Sequence, residues 1–135
     1  MEIKDNQFWV YYLGERKDID TEKVGKWMYF FGDKNFVAEI CKKAIGENIT
    51  DSCKHTNNAE TGVACFYVNI DDEEGHRKII KFFLDNNLIK RTKSGKLTNV
   101  SFKLDNQTRA GEYGDEFQAK INLEKFVDLM TGEFK

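Results

Sequence analysis

Val63-Ala64-Cys65-Phe66-Tyr67-Val68-Asn69-Ile70 runs straight into four acids, Asp71-Asp72-Glu73-Glu74, and then into a helical pattern that lasts to about Asn86. Seven of the first eight residues are apolar or aromatic, several of them β-branched, the composition of a strand. The acids suit the start of a helix, where negative charge opposes the positive end of the macrodipole. His76, Ile79, Ile80, Phe83 and Leu84 then fall on one side of that helix, and Asn86-Asn87 ends it. A strand followed by an amphipathic helix of this length points to a mixed fold.

Downstream, Leu88–Thr92 and Leu97–Leu104 flank Lys93-Ser94-Gly95-Lys96, a hairpin turn signal. In the second arm Val100, Phe102 and Leu104 share one face, and Asn99, Ser101 and Lys103 share the other. Phe117–Ile121 reads as a last strand, and Leu123–Met130 as a short terminal helix. Upstream, Thr56–Gly62 is a turn-rich connector and Ile49–His55 a further strand. Phe36, Val37, Ile40, Cys41, Ala44 and Ile45 make one apolar helical stripe, with Asp33 as its cap and Gly46 as its stop. Lys26–Phe31, KWMYFF, and Phe8–Leu13, FWVYYL, are strands, the latter apolar on both faces and so expected to be covered on both. Met1–Gln7 is polar and expected to fray, and Gly14–Gly25 is charged and reads as a loop with one helical turn at Asp20–Val24. The order predicts an α+β fold: a mostly antiparallel sheet with two main helices on one face, in a single domain spanning 1–135.

The chain of 135 residues has a formal net charge of −2, which excludes a general polyanion binder. The charge is uneven. Between His76 and Arg109 nine Lys/Arg face only Asp85 and Asp105, a surplus of seven, so the rest of the chain carries −9. Such asymmetry permits a local basic surface, although a solvated lysine-rich face has the same composition. No apolar run is long enough to span a membrane and no secretory leader pattern opens the chain, so a soluble, cytoplasmic protein with no membrane partner is expected. Cys41, Cys53 and Cys65 form no C-x-x-C and are expected as reduced, partly buried thiols.

Phosphate-loop, dinucleotide-binding, zinc-protease and serine-hydrolase motifs are all missing. Cys53-x-His55 puts two metal ligands on one strand face, but the spacing of Cys65 and His76 does not complete a site, and no metal or cofactor is expected. His55 and His76 are the only histidines, which leaves few groups for acid–base work at neutral pH. The stretch Phe102–Gly114, FKLDNQTRAGEYG, is the exception. A strand runs into a polar loop that closes on Gly111 and Gly114 around Tyr113, and Lys103, Asp105, Thr108, Arg109 and Tyr113 are gathered at one junction. One reading is a turn in which Asp105 and Thr108 bond their own backbone. The other is an anion or nucleotide site, with bases stacked on aromatic rings and phosphate held by cations.

Three pieces of the chain resemble a known family in order: Gly25–Phe31 (GKWMYFF), Gly62–Asp72 (GVACFYVNIDD) with its helix, and FKLDNQTRAGEYG. The family is the uncharacterised Bles-type proteins (basophilic leukaemia expressed protein), similar in fold to the eukaryotic cap-binding translation initiation factor. The resemblance implies a curved antiparallel sheet with helices on its convex back. It also implies that Lys26, Trp27, Lys54, Lys103, Asp105, Thr108, Arg109 and Tyr113 cluster on the concave side. The paired tryptophans of the cap-binding factors have no counterpart, since Trp9 and Trp27 both lie in early strands.

Three function classes remain. The first is a non-catalytic domain that binds a nucleotide or single-stranded RNA through that basic, aromatic face. The second is a protein-interaction or inhibitor domain using Asp71–Glu74, Asp115–Glu116 or exposed aromatics. The third is an enzyme on nucleotides or phosphoesters, with Asp105 or His55 as base.

Overall fold

A computed structural model describes residues 1–14, 19–105 and 121–135. Among the described residues seven strands form one sheet: β1 Glu2–Asp5, β2 Trp9–Leu13, β3 Val24–Phe31, β4 Ser52–Thr56, β5 Gly62–Asn69, β6 Ser101–Leu104 and β7 Ile121–Asn122. Their spatial order is β1-β2-β4-β5-β3-β6-β7, and every neighbouring pair is antiparallel. Helix α1, Lys34–Gly46, joins β3 to β4, and helix α2, Glu73–Asp85, follows β5. The fold is α+β, as the sequence predicts.

Both helices lie on the same side of the sheet. Cys53 and Phe66 are cross-strand partners on one face. Cys53 donates from Sγ to the Cys41 carbonyl of α1, while Phe66 stacks edge-on against Phe83 of α2. That face supplies the core: Tyr12, Trp27, Phe31, Ala64, Phe66 and Phe102 are all buried beneath the helices. Side chains alternate along a strand, so the neighbours Tyr11, Lys26, Lys54, Cys65, Tyr67 and Lys103 share the other face.

The helix starts match expectation. Asp33 caps α1 by accepting from Phe36 N, and Asp72 caps α2 by accepting from Gly75 N, with Glu73 and Glu74 in the first turn. The end of α1 differs: Gly46 stays helical, and the chain turns at Asn48, whose φ is +57°. Asparagine tolerates this left-handed backbone. Asn87, at φ +58°, does the same after α2.

Five expectations are corrected. Residues 1–7 do not fray as a whole: β1 pairs along its length with β2, around a turn in which Asn6 Oδ1 accepts from Phe8 N and Trp9 N. All four β1 side chains are exposed, so pairing by backbone alone left no apolar pattern to read. β2 is not covered on both faces; only Tyr12 is buried, because the helices pack on one side. The expected strand at Ile49–His55 begins only at Ser52, since Thr50 turns inward and donates from Oγ1 to the Tyr67 carbonyl. The Leu88–Leu104 hairpin shrinks to one bridge, Arg91 to Leu97, ahead of β6, because Leu97 N donates instead to the Leu129 carbonyl. Of the terminal helix, Leu123–Lys125 is a single 3-10 turn. The expected strand at 117–121 falls outside the described residues except for Ile121.

Candidate ligand-binding face of the sheet

The helix-free face gathers residues that are far apart in the chain. Lys26 of β3 faces Tyr67 of β5 on one side and Lys103 of β6 on the other. Lys54 of β4 faces Tyr11 of β2 and Cys65 of β5. The Lys54 ammonium lies 3.9 Å from the ring centre of Trp9 and 5.7 Å from that of Tyr11, a cation over two aromatic faces. Lys26 Nζ is 2.9 Å from Asp105 Oδ1, with both side chains largely screened from water. Three amines, three aromatic rings and a carboxylate thus share one face, contributed by β2, β3, β4, β5 and β6 and the residue that follows β6.

Burial and neighbouring charges shift the titration of several of these groups. Burial lowers the Lys54 pKa, and the Lys26 charge pushes it the same way, against the pull of Cys65 and Asp105. Burial likewise lowers that of Lys103, again reinforced by Lys26 and opposed by Asp105 and Cys65. Burial raises the Cys65 thiol and the Tyr67 phenol, so both stay protonated at neutral pH. The largest cause is common: burial on a partly desolvated sheet surface disfavours the charged form of each group.

Four of the eight expected site residues, Lys26, Lys54, Lys103 and Asp105, come together here. Trp27 does not. It is fully buried on the helix side, where its Nε1–H donates to His76 Nδ1 at 3.0 Å. Its neighbour Lys26 takes the open face, because successive strand residues point in opposite directions. Thr108, Arg109 and Tyr113 lie outside the described residues. Sequence reasoning missed Trp9 and Tyr11 as site residues. The signal was their alternation in FWVYYL, which places both on the face away from Tyr12.

Neither histidine is a usable base. His55 is buried, with Nδ1 donating to the Thr56 carbonyl at 2.8 Å and Nε2 accepting from the Tyr12 hydroxyl at 3.0 Å. His76 is buried, with Nε2 donating to the Ile70 carbonyl at 2.9 Å and Nδ1 taken by Trp27. Both rings are neutral structural bridges, and burial pushes both below their ordinary pKa. Cys53 and His55 face the core as a pair, and among the described residues no three His, Cys, Asp or Glu are placed to hold a metal. A cleft of about 160 Å³ lies elsewhere, lined by Asn48, Thr50, Asp51, Asn69, Asp72 and Lys78 among others. Its polar groups are largely used in holding its own walls: Thr50 on Tyr67, Lys78 on the Asn48 carbonyl, Asp72 on Gly75.

Compared with known families and curated proteins, the chain matches no family model and no curated sequence. Among the described residues no helix is long and apolar enough to cross a membrane.

Proposed function

We propose that the chain binds a phosphate-bearing ligand of the nucleotide or single-stranded RNA type on the helix-free face of its sheet, without transforming it. The observation that carries this reading is the meeting of Lys26, Lys54 and Lys103 on one face beside Trp9 and Tyr11. Cations hold phosphate oxygens, and aromatic faces stack on bases of any sequence. The lowered pKa of Lys54 and of Lys103 supports it, since an arriving anion relieves the repulsion from Lys26. Thr108, Arg109 and Tyr113 stay in the proposal as further contacts, and the resemblance to Bles-type proteins points to the same side of the sheet.

The test is binding of ATP and of a short single-stranded RNA to the wild type and to Lys26→Ala and Lys103→Ala. Each substitution is expected to weaken binding about tenfold or more with the fold intact by circular dichroism, and affinity is expected to fall with salt as phosphate contacts require. Salt-independent binding, or equal affinity in the lysine variants, would sink the proposal.

A protein-interaction role is the second reading. It is favoured by Phe30 and Phe8, which are 70% and 56% exposed. Capture of a protein partner that is indifferent to Lys26 and Lys103 would favour it over the first.

A further inference from the structure

Three hydrogen-bond donors stand in one row across the helix-free face. The register pairs Tyr67 of β5 with Lys26 of β3, and Lys26 with Lys103 of β6. Directly opposed side chains on a sheet are about 5 Å apart at Cβ, close enough for all three to reach one small anion. Tyr67 brings something to this row that the amines do not. Among the described residues its hydroxyl has no hydrogen-bond partner, although its backbone carbonyl accepts from Thr50 Oγ1. No fully buried side-chain nitrogen or oxygen among those residues lacks a partner, so this hydroxyl opens onto the face rather than into the core. Burial keeps the phenol protonated and therefore a donor. A half-buried donor without a partner forfeits a bond that an arriving acceptor restores.

The charges around the row narrow the acceptor. Asp105 Oδ1 lies 2.9 Å from Lys26 Nζ, so an anionic oxygen already fits against the row. At the centre of the face Lys26, Lys54 and Lys103 set three formal positive charges against the one carboxylate of Asp105, a surplus of two. A phosphate monoester near neutral pH carries close to two negative charges and three acceptor oxygens. A phosphodiester inside a nucleic-acid strand carries a single charge and has two free oxygens.

We propose that this row selects a terminal phosphate, the monoester end of a nucleotide, over the internal diesters of an RNA strand, and that the Tyr67 hydroxyl donates to the oxygen that a diester lacks. The inference rests on the phosphate-binding reading above and decides between its two ligand types. Tyr67 is then a specificity-determining residue: the lysines hold charge of any phosphate, and the neutral phenol counts the free oxygens.

The test is calorimetry on the full chain with adenosine 5′-monophosphate and with its 5′-methyl phosphate ester, which differ only in that one oxygen is capped. The monophosphate is expected to bind about tenfold or more tightly than the ester, as a charge-assisted bond requires. Tyr67→Phe should weaken the monophosphate about tenfold and leave the ester nearly unchanged. The dependence of affinity on salt should stay the same in Tyr67→Phe, because a neutral donor releases no counterion, and its slope should fall by about one in Lys103→Ala. A short RNA with a 5′-phosphate should likewise bind more tightly than the same RNA with a 5′-hydroxyl. Equal affinity for the two adenosine compounds, or an equal loss of both in Tyr67→Phe, overturns the inference. RNA that binds through Lys26 and Lys103 whatever its 5′ end also overturns it and leaves the phosphate-binding reading standing. No binding of either adenosine compound or of RNA overturns both.

Discussion

Trp27 Nε1–H donates to His76 Nδ1 at 3.0 Å, and this bond ties the interior strand β3 to the first turn of α2. The indole also packs edge-on against Phe126, and His76 stacks on the same ring. Trp27→Phe removes the donor and leaves a void, so Nδ1 loses its partner in a water-free place. The expected loss is about 2–4 kcal/mol, the sum of a cavity and an unsatisfied acceptor. Urea unfolding measures it, and an unchanged midpoint would show that the bond carries no weight.

The two buried imidazoles predict a pH dependence. Burial holds the pKa of His55 and His76 below 6.5 in the folded protein. The unfolded chain therefore binds more protons in the window between the folded values and 6.5. Stability contributed by these rings is complete above 6.5 and is lost as pH falls toward the folded values. Side-chain NMR titration should show both rings taking up their protons at lower pH than a histidine in an unfolded peptide. Rings that titrate with or above the unfolded peptide would contradict the buried, neutral arrangement.

Asp105 competes with any anion for Lys26. Asp105→Asn keeps the shape of the side chain and frees the ammonium, so phosphate or nucleotide affinity is expected to rise about three- to tenfold at low salt. The gain should shrink as salt is added. Weaker binding in Asp105→Asn, measured by calorimetry, would mean that Asp105 contacts the ligand directly.

Gly25 is required by close packing. A Cβ there would lie 2.3 Å from Phe102 Cζ and 2.7 Å from the Lys103 carbonyl oxygen. Gly25→Ala must push β6 away from β3, and about 2 kcal/mol or more of stability should be lost. Because β6 carries Lys103, ligand binding should weaken as well. A wild-type melting temperature would show that the two strands part without cost.

The acid run Asp71–Glu74 has a structural part that one substitution isolates. Asp72→Ala removes the cap on Gly75 N and should cost about 1 kcal/mol, read by thermal unfolding. No change would return the run to the candidates for an interaction surface.

Strands β2 to β5 and both helices were legible because each has one buried side, and burial writes a period into the residues. The stripe Val37, Ile40, Cys41, Ala44, Ile45 and the alternation around Phe66 are such records. β1 was illegible for the opposite reason: Glu2, Ile3, Lys4 and Asp5 are all exposed and are held by backbone bonds to β2 alone. Lys103 was legible as a candidate from its strand-face position, whereas Lys26 and Trp27 entered together through the Gly25-Lys26-Trp27 resemblance, which does not separate the two faces of the strand.

By itself the sequence determined the α+β class, the cap at Asp33, the start of α2 in the acid run Asp71–Glu74, and the face that Lys103 occupies, since these depend on local periodicity and turn chemistry. The strand order, with β3 between β5 and β6, was decided only in three dimensions. That order sets Lys103 beside Lys26, and the pairing of β2 with β4 sets Lys54 over Trp9. Long-range pairing is chosen by the fit of whole faces against the helices, an energy that no single stretch contains, and the charge cluster is a consequence of that choice.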